Sequence, residues 1–109
     1  GVIMKNLVLA LLLFPSIGLA DEQMELGLTI KDHRFSPVEL KVPAGKKVRL
    51  VVSNLDSTPE EFESHQLNRE KLIAGHGKAT IYVGPLNAGS YAFFGEFNEN
   101  TARGVIVAE

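Results

Sequence analysis

Apolar and polar positions alternate with a period of two along most of the chain after residue 20. The run MELGLTIKD at 24–32 shows this alternation, and VRLVVSN at 48–54 and ATIYVGP at 79–85 are further β-rich runs. GSYAFF and RGVIVAE add two more near the C-terminus, and turn signals rich in Pro, Gly and Asp separate the runs. Several short strands at close spacing predict an all-β sandwich or barrel.

One segment is ambiguous. Residues 59–75, PEEFESHQLNREKLIAG, contain good helix formers, so a short helical turn around 68–71 fits the sequence. Glu61, Glu63 and His65 also fit the alternation of a strand. We interpret this segment as a short extended piece followed by a turn.

The N-terminus has a different pattern. From Met4, MKNLVLALLLFPSIGLA combines an early lysine, an apolar run, a proline and small residues before Ala20. This pattern predicts a secretory signal peptide over residues 1–20, of which 1–3 are extra residues before Met4, and an exported domain over 21–109. The alternative is a membrane anchor, but the apolar run from Leu7 to Phe14 is short for a bilayer core of about 30 Å.

Composition excludes several classes of function. A chain of 109 residues with a formal net charge of -2 accommodates one compact domain and shows no basic run for nucleic acid. Because cysteine is absent, a blue-copper site and a thiolate zinc site are excluded. A phosphate-binding loop and a nucleophile elbow are also missing, so a hydrolase is disfavoured.

The order of motifs is similar to that of a known family. IKDHRFSPVELKVPAGKKVRLVVSNLDSTPEEFES, then GPLNAGSYAFFGEF and GVIVAE, resembles the cupredoxin-like domains. Within them it is most similar to the exported component encoded with bacterial ferrous-iron permease systems. The resemblance implies a Greek-key β-sandwich in the periplasm. It also implies, as partner, an inner-membrane iron permease or another periplasmic subunit.

The resemblance also shows where this chain departs from the copper proteins. Cupredoxins usually place one histidine after the Asn54-type residue, then a cysteine, a histidine and often a methionine in the loop before the last strand. Here Gly95 stands at the cysteine-like place and Asn98 near the second histidine. Ala102 or Arg103 fills the methionine-like place. The usual copper ligand set is therefore not expected.

Carboxylates are the candidate replacements. The resemblance brings the segment after Asn54 and the last loop to one end of the sandwich, where the first offers Glu61 and Glu63 and the second offers Glu96 and Glu99. Oxygen ligands with an imidazole suit iron, manganese, calcium or a weak cupric site. The predicted metal ligands are Glu61, Glu63, His65, Glu96, Glu99 and His33. The alternative is that these glutamates are solvated surface charges and the histidines serve turns.

Two functional hypotheses follow. In the first, the protein is a periplasmic metal-binding protein holding copper or iron, and it assists ferrous-iron oxidation or delivery to an inner-membrane permease. Any enzymatic role is then accessory to iron oxidation. In the second, the domain has lost metal binding and is a docking module for a partner subunit. Stripping the metal and neutralising the carboxylates distinguishes the two, because only the metal carrier would then lose its function.

Overall fold

The computed structural model describes residues 23–109, which form nine β-strands and one short 3-10 turn, Glu96–Asn98. The strands are β1 Met24–Lys31, β2 Arg34–Ser36, β3 Glu39–Val42, β4 Val48–Asn54, β5 Glu60–Ser64, β6 Arg69–Ile73, β7 Lys78–Val83, β8 Gly89–Gly95 and β9 Arg103–Ala108. The predicted signal peptide, residues 1–20, lies outside the described residues. Within residues 23–109, no helix has the length and apolar character needed to cross a membrane.

The strands form two mixed sheets. The four-stranded sheet has the order β2-β1-β4-β7, and the five-stranded sheet has the order β3-β9-β8-β5-β6. The β1–β4 and β3–β9 pairs are parallel and the remaining pairs are antiparallel. This architecture confirms the prediction of an all-β sandwich.

The core lies between the sheets, where the inward side chains of each alternating strand meet. Leu28, Leu50, Ile81 and Ile106 are among its buried aliphatic side chains. Three aromatic rings pack together within it. The centroids of Phe35 and Phe62 each lie 5.0 Å from that of Phe93. Because the chain has no cysteine, burial of this apolar surface is the main source of stability for the fold.

The five β-rich runs in the sequence are confirmed as β1, β4, β7, β8 and β9. Three short strands, β2, β3 and β6, were not predicted. The interpretation of 59–75 as a short extended piece followed by a turn is confirmed by β5 and the turn at 65–68. The helical alternative around 68–71 is wrong, because Arg69–Ile73 is extended and pairs with β5. The first four residues of β6 are exposed at the sheet edge, so this strand has little apolar periodicity to identify it.

Loops from both sheets meet at one end of the sandwich, here called the site end. It comprises the β1–β2 turn, the β4–β5 loop at 55–59 and the β8–β9 loop at 96–102. The Asp56 side chain accepts hydrogen bonds from the backbone N–H groups of Asp32 and His33 at 2.8 and 3.0 Å. The Thr101 hydroxyl donates to the His33 carbonyl. These contacts join the three loops.

Candidate metal site

Strand β5 determines which acidic side chains face solvent. Its residues alternate between buried and half-buried, and Phe62 is fully buried against the core. Glu60 and Ser64 share the inward face with Phe62, whereas Glu61 and Glu63 project from the outer face of the five-stranded sheet. This is the period of two expected of a strand with one face on the core.

Pairing with the neighbouring strands brings two further glutamates to the same face. Glu63 lies opposite Glu70 in the β5–β6 pair. In the β5–β8 pair Phe62 lies opposite Gly95, so the next residue, Glu96, follows beside Glu61. One carboxylate oxygen from each of Glu61, Glu63, Glu70 and Glu96 lies within 4.8 Å of the others. We call these residues the four-glutamate cluster.

The carboxyl groups of the cluster interact strongly. The pKa of Glu63 is raised from its ordinary value of 4.5 to about 7, mainly by a hydrogen bond shared with Glu96. Partial burial and the charges of Glu96 and Glu70 add to this shift. The pKa of Glu61 is also raised, by partial burial first and then by Glu70 and Glu96. A bound cation would offset this repulsion.

His65 lies at the rim of the cluster. Its Nδ1 atom is 3.8 Å from Glu63 Oε2, while 78% of its side chain is exposed. Its ring packs at a tilt beside Phe94, with centroids 5.5 Å apart. His65 therefore lies beside the cluster but does not belong to it.

The two other predicted ligands lie elsewhere at the site end. His33 and Glu99 line an open cleft that also reaches Glu96. The His33 Nε2 atom is 3.4 Å from the Thr58 hydroxyl. Of the six predicted ligands, the structure thus brings Glu61, Glu63 and Glu96 together, with His65 beside them.

Sequence reasoning missed Glu70, the fourth member of the cluster. The missing information was the β5–β6 hairpin, in which a turn at 65–68 places Glu70 opposite Glu63. The neighbouring Arg69 donates from Nε to the Tyr82 carbonyl at 2.9 Å and from Nη1 to the Asn68 carbonyl.

Sequence reasoning also missed Glu60, which is buried at the site end with 2% of its surface exposed. Its Oε1 atom accepts hydrogen bonds from the N–H groups of Glu61 and Phe97 at 2.9 and 2.8 Å. Its Oε2 atom accepts one from Asn98 Nδ2 at 2.7 Å. The signal was present in the alternation, since a residue two positions before a buried Phe62 faces inward.

The two mixed sheets, with their parallel β1–β4 and β3–β9 pairs, form a sandwich of the cupredoxin-like class. The chain belongs to the cupredoxin-like domain family, whose sequence model matches residues 4–108. An uncharacterized protein of Rickettsia prowazekii is 46% identical over 87 residues, which span 80% of this chain and 70% of that protein.

Solved structures share the fold at low sequence identity. Auracyanin A, a "blue" copper protein of Chloroflexus aurantiacus, is 13% identical with a TM-score of 0.69, over 81% of this chain and 100% of that one. Amicyanin of Paracoccus versutus is 17% identical with a TM-score of 0.60, over 83% and 87%. The metal-binding domain of the Streptococcus pneumoniae Cu(I)-exporting ATPase CopA is 11% identical with a TM-score of 0.63, over 78% and 84%.

Copper, the metal that these neighbours suggest, does not fit the buried part of the site end. The groups around the Glu60 carboxyl group are the Asn98 amide, Gly95 and Ala102, and none of them carries sulfur or imidazole. Both Glu60 oxygens already accept hydrogen bonds from protein N–H groups. A blue-copper site needs a cysteine sulfur and histidine nitrogens, so these residues do not form one.

Proposed function

We propose that this protein is an exported periplasmic metal-binding protein that holds iron at the four-glutamate cluster. In this proposal it serves ferrous-iron uptake by assisting oxidation of the ion or its delivery to an inner-membrane permease. The observation that carries the proposal is the convergence of four carboxylate oxygens within 4.8 Å on one sheet face.

The chemistry of the cluster favours a hard cation. Carboxylate oxygens suit iron, manganese, magnesium and calcium, whereas cuprous copper prefers sulfur. Three of the glutamates stand on paired strands, Glu61 and Glu63 on β5 and Glu70 on β6, and Glu96 directly follows β8. A site built on a sheet keeps its ligand spacing better than one built on loops alone.

Iron is proposed because the carboxylates distinguish its two oxidation states. Several anionic oxygens stabilise the ferric ion more than the ferrous ion, because the ferric charge is higher. The cluster would therefore lower the reduction potential of bound iron, so that an external one-electron oxidant would take the electron from the ferrous ion more readily. Iron is here the substrate or cargo of the protein.

Location and partner rest on the sequence. The signal-peptide pattern over residues 1–20 supports export, and the resemblance to components of ferrous-iron permease systems supports a role beside an inner-membrane permease. An exported protein can meet iron in the periplasm before transport. These two points support the iron proposal over storage or buffering of another cation.

Calorimetric titration tests the proposal. The predicted mature chain, residues 21–109, is titrated with anaerobic ferrous, ferric, cupric and calcium ions. We expect stoichiometric iron binding that is lost in the Glu61→Gln/Glu63→Gln double variant. Glu39→Gln, on β3 at the opposite edge of the sheet, is the matched control and should bind as wild type does. Iron binding of equal affinity in the double variant and the wild type would disprove the assignment.

A docking module is the second candidate, and exposed apolar side chains favour it. Phe97 and Leu55, both in loops of the site end, are 51% and 54% exposed. A docking module should retain its partner after chelation and in the Glu61→Gln/Glu63→Gln variant. Loss of permease binding on chelation would instead support the iron-carrier proposal.

A further inference from the structure

One buried side chain connects the two segments that meet at the site end. Glu60 begins β5, and its carboxyl group accepts hydrogen bonds from the Phe97 backbone and the Asn98 side chain in the β8–β9 loop. These contacts span 37 and 38 residues of sequence. The loop itself is closed by backbone hydrogen bonds from Gly95 to the Ala102 carbonyl and from Ala102 to the Asn98 carbonyl, and Glu60 joins this closed loop to β5.

Gly95 leaves the space that this carboxyl group fills. A Cβ atom at position 95 would lie 2.6 Å from Glu60 Cδ and 2.8 Å from Ala102 Cβ, closer than such atoms approach. Ala102 is fully buried beside Gly95. A larger side chain at position 95, cysteine included, therefore competes with Glu60 for the same volume.

We infer that the Glu60 carboxyl group takes the structural place of a buried metal ion in this fold. It ties β5 to the β8–β9 loop, so the site end closes without metal. Residues 95, 98 and 102, where the family resemblance puts metal ligands, instead pack around this group or hydrogen-bond to it. The inference concerns the buried interior of the site end and does not depend on iron binding at the outer face.

The same contact makes Glu60 a positioning residue for the outer face. Its Oε1 atom binds the N–H of Glu61 and the N–H of Phe97, which belongs to the peptide that follows Glu96. One oxygen atom thus fixes the separation of the backbone at Glu61 and at Glu96. Two members of the four-glutamate cluster are held at their spacing from beneath the sheet.

Amide hydrogen exchange tests the inference in the metal-free protein. In Glu60→Ala, we expect exchange of the Phe97 amide to accelerate about tenfold relative to wild type, because a partly buried donor loses its acceptor. Glu60→Gln keeps one acceptor oxygen and the size of the side chain, and it should preserve the protection. Gly95→Ala displaces the carboxyl group, so it should accelerate exchange in the same way without removing Glu60.

Ser64→Ala is the matched control for loss of a buried polar contact on the same face of β5. The Ser64 hydroxyl donates to the Ala92 carbonyl at 2.7 Å and accepts from the Leu67 N–H, away from the β8–β9 loop. We expect this variant to lose stability without selective acceleration at Phe97. Equal acceleration at Phe97 in Ser64→Ala and Glu60→Ala would overturn the inference. If Glu60→Ala does not fold, the Gly95→Ala variant tests the inference in its place. Unchanged exchange of the Phe97 amide in Gly95→Ala would overturn the inference.

Thermal unfolding tests whether the buried interior of the site end holds a metal. The Glu61→Gln/Glu63→Gln variant, in which the outer face is disabled, is unfolded thermally with and without a strong chelator. We expect the same midpoint in both conditions and no intense visible absorption on addition of cupric ion. A midpoint that falls on chelation would show a structural metal in the interior and overturn the inference. Failure of wild type to bind iron would overturn only the proposed function.

Discussion

At the scale of single residues, Glu63 makes the stability of the metal-free protein depend on pH. Its pKa in the folded protein is about 7 against an ordinary value of 4.5, so the folded state binds this proton more tightly than the unfolded chain does. The free energy of unfolding should therefore fall as the pH rises from 4.5 to about 7. The hydrogen bond shared with Glu96 is the largest cause of the raised pKa, followed by partial burial and the charges of Glu96 and Glu70, whereas His65 acts in the opposite direction.

Chemical denaturation of the metal-free protein at several pH values between 5 and 8 checks this prediction. We expect the fall in stability to be smaller in Glu63→Gln, which carries no titratable group at this position, and to persist in Glu39→Gln. Carbon-detected NMR titration of the glutamate side chains should assign a midpoint near 7 to Glu63. A Glu63 midpoint near 4.5 would contradict the packed geometry of the cluster.

Single residues also show where sequence reasoning succeeds and where it fails. The alternation around Phe62 placed Glu61 and Glu63 on one face, and the structure brings both into one cluster with Glu96. The same alternation puts Glu60 on the core side, but a glutamate is an unexpected core residue because burial of a carboxyl group is costly without partners. Those partners come from Phe97 and Asn98, far away in the sequence.

At the scale of elements, the β1–β2 turn depends on a side chain from another loop. Asp32 and His33 both have positive φ, 53° and 58°, as the type I′ hairpin turn requires, although neither is glycine. Asp56 accepts the N–H groups of both residues, and the hydrogen bond from His33 is the main reason why its pKa is lowered. The β4–β5 loop therefore supports a turn that its own residues favour weakly.

Substitution of Asp56 should reveal this support. We expect Asp56→Ala to lower the free energy of unfolding by about 1–2 kcal/mol, for the loss of two hydrogen bonds. Asp56→Asn keeps one acceptor and should lose about half as much. Because the pKa is lowered, wild type should lose this contribution only as the pH falls below about 3.8. Urea denaturation at pH 7 and pH 3 measures this contribution to the free energy of unfolding. Equal stability of Asp56→Ala and wild type at pH 7 would contradict the proposed support of the β1–β2 turn by Asp56.

Elements also determined how much of the fold was predictable. The long apolar strands were visible because their buried faces repeat every second residue. Strand β6 was not, because only Ile73 among its residues is buried. Because β6 was not predicted, the register of the β5–β6 hairpin was not predicted either. Nothing in the sequence pattern then indicated that Glu70 lies opposite Glu63. Cross-strand pairing over long sequence separations is the information that alternation alone does not contain.

At the scale of the whole molecule, the four-glutamate cluster lowers the stability of the metal-free protein and, in our proposal, binds iron. Glu70→Gln removes a charge that repels Glu61 and Glu63, so the metal-free variant should be more stable than wild type. The same change removes a ligand, and we expect iron affinity to fall at least about tenfold, the loss seen when even a ligand-orienting group is disturbed. With iron at 100 times its Kd, wild type should gain about 2.7 kcal/mol and become the more stable protein. Thermal unfolding of both proteins with and without iron tests this reversal, and Glu39→Gln should follow wild type in both conditions. If Glu70→Gln were less stable without metal, or gained as much from iron as wild type, the four carboxylates would be surface charges rather than a site.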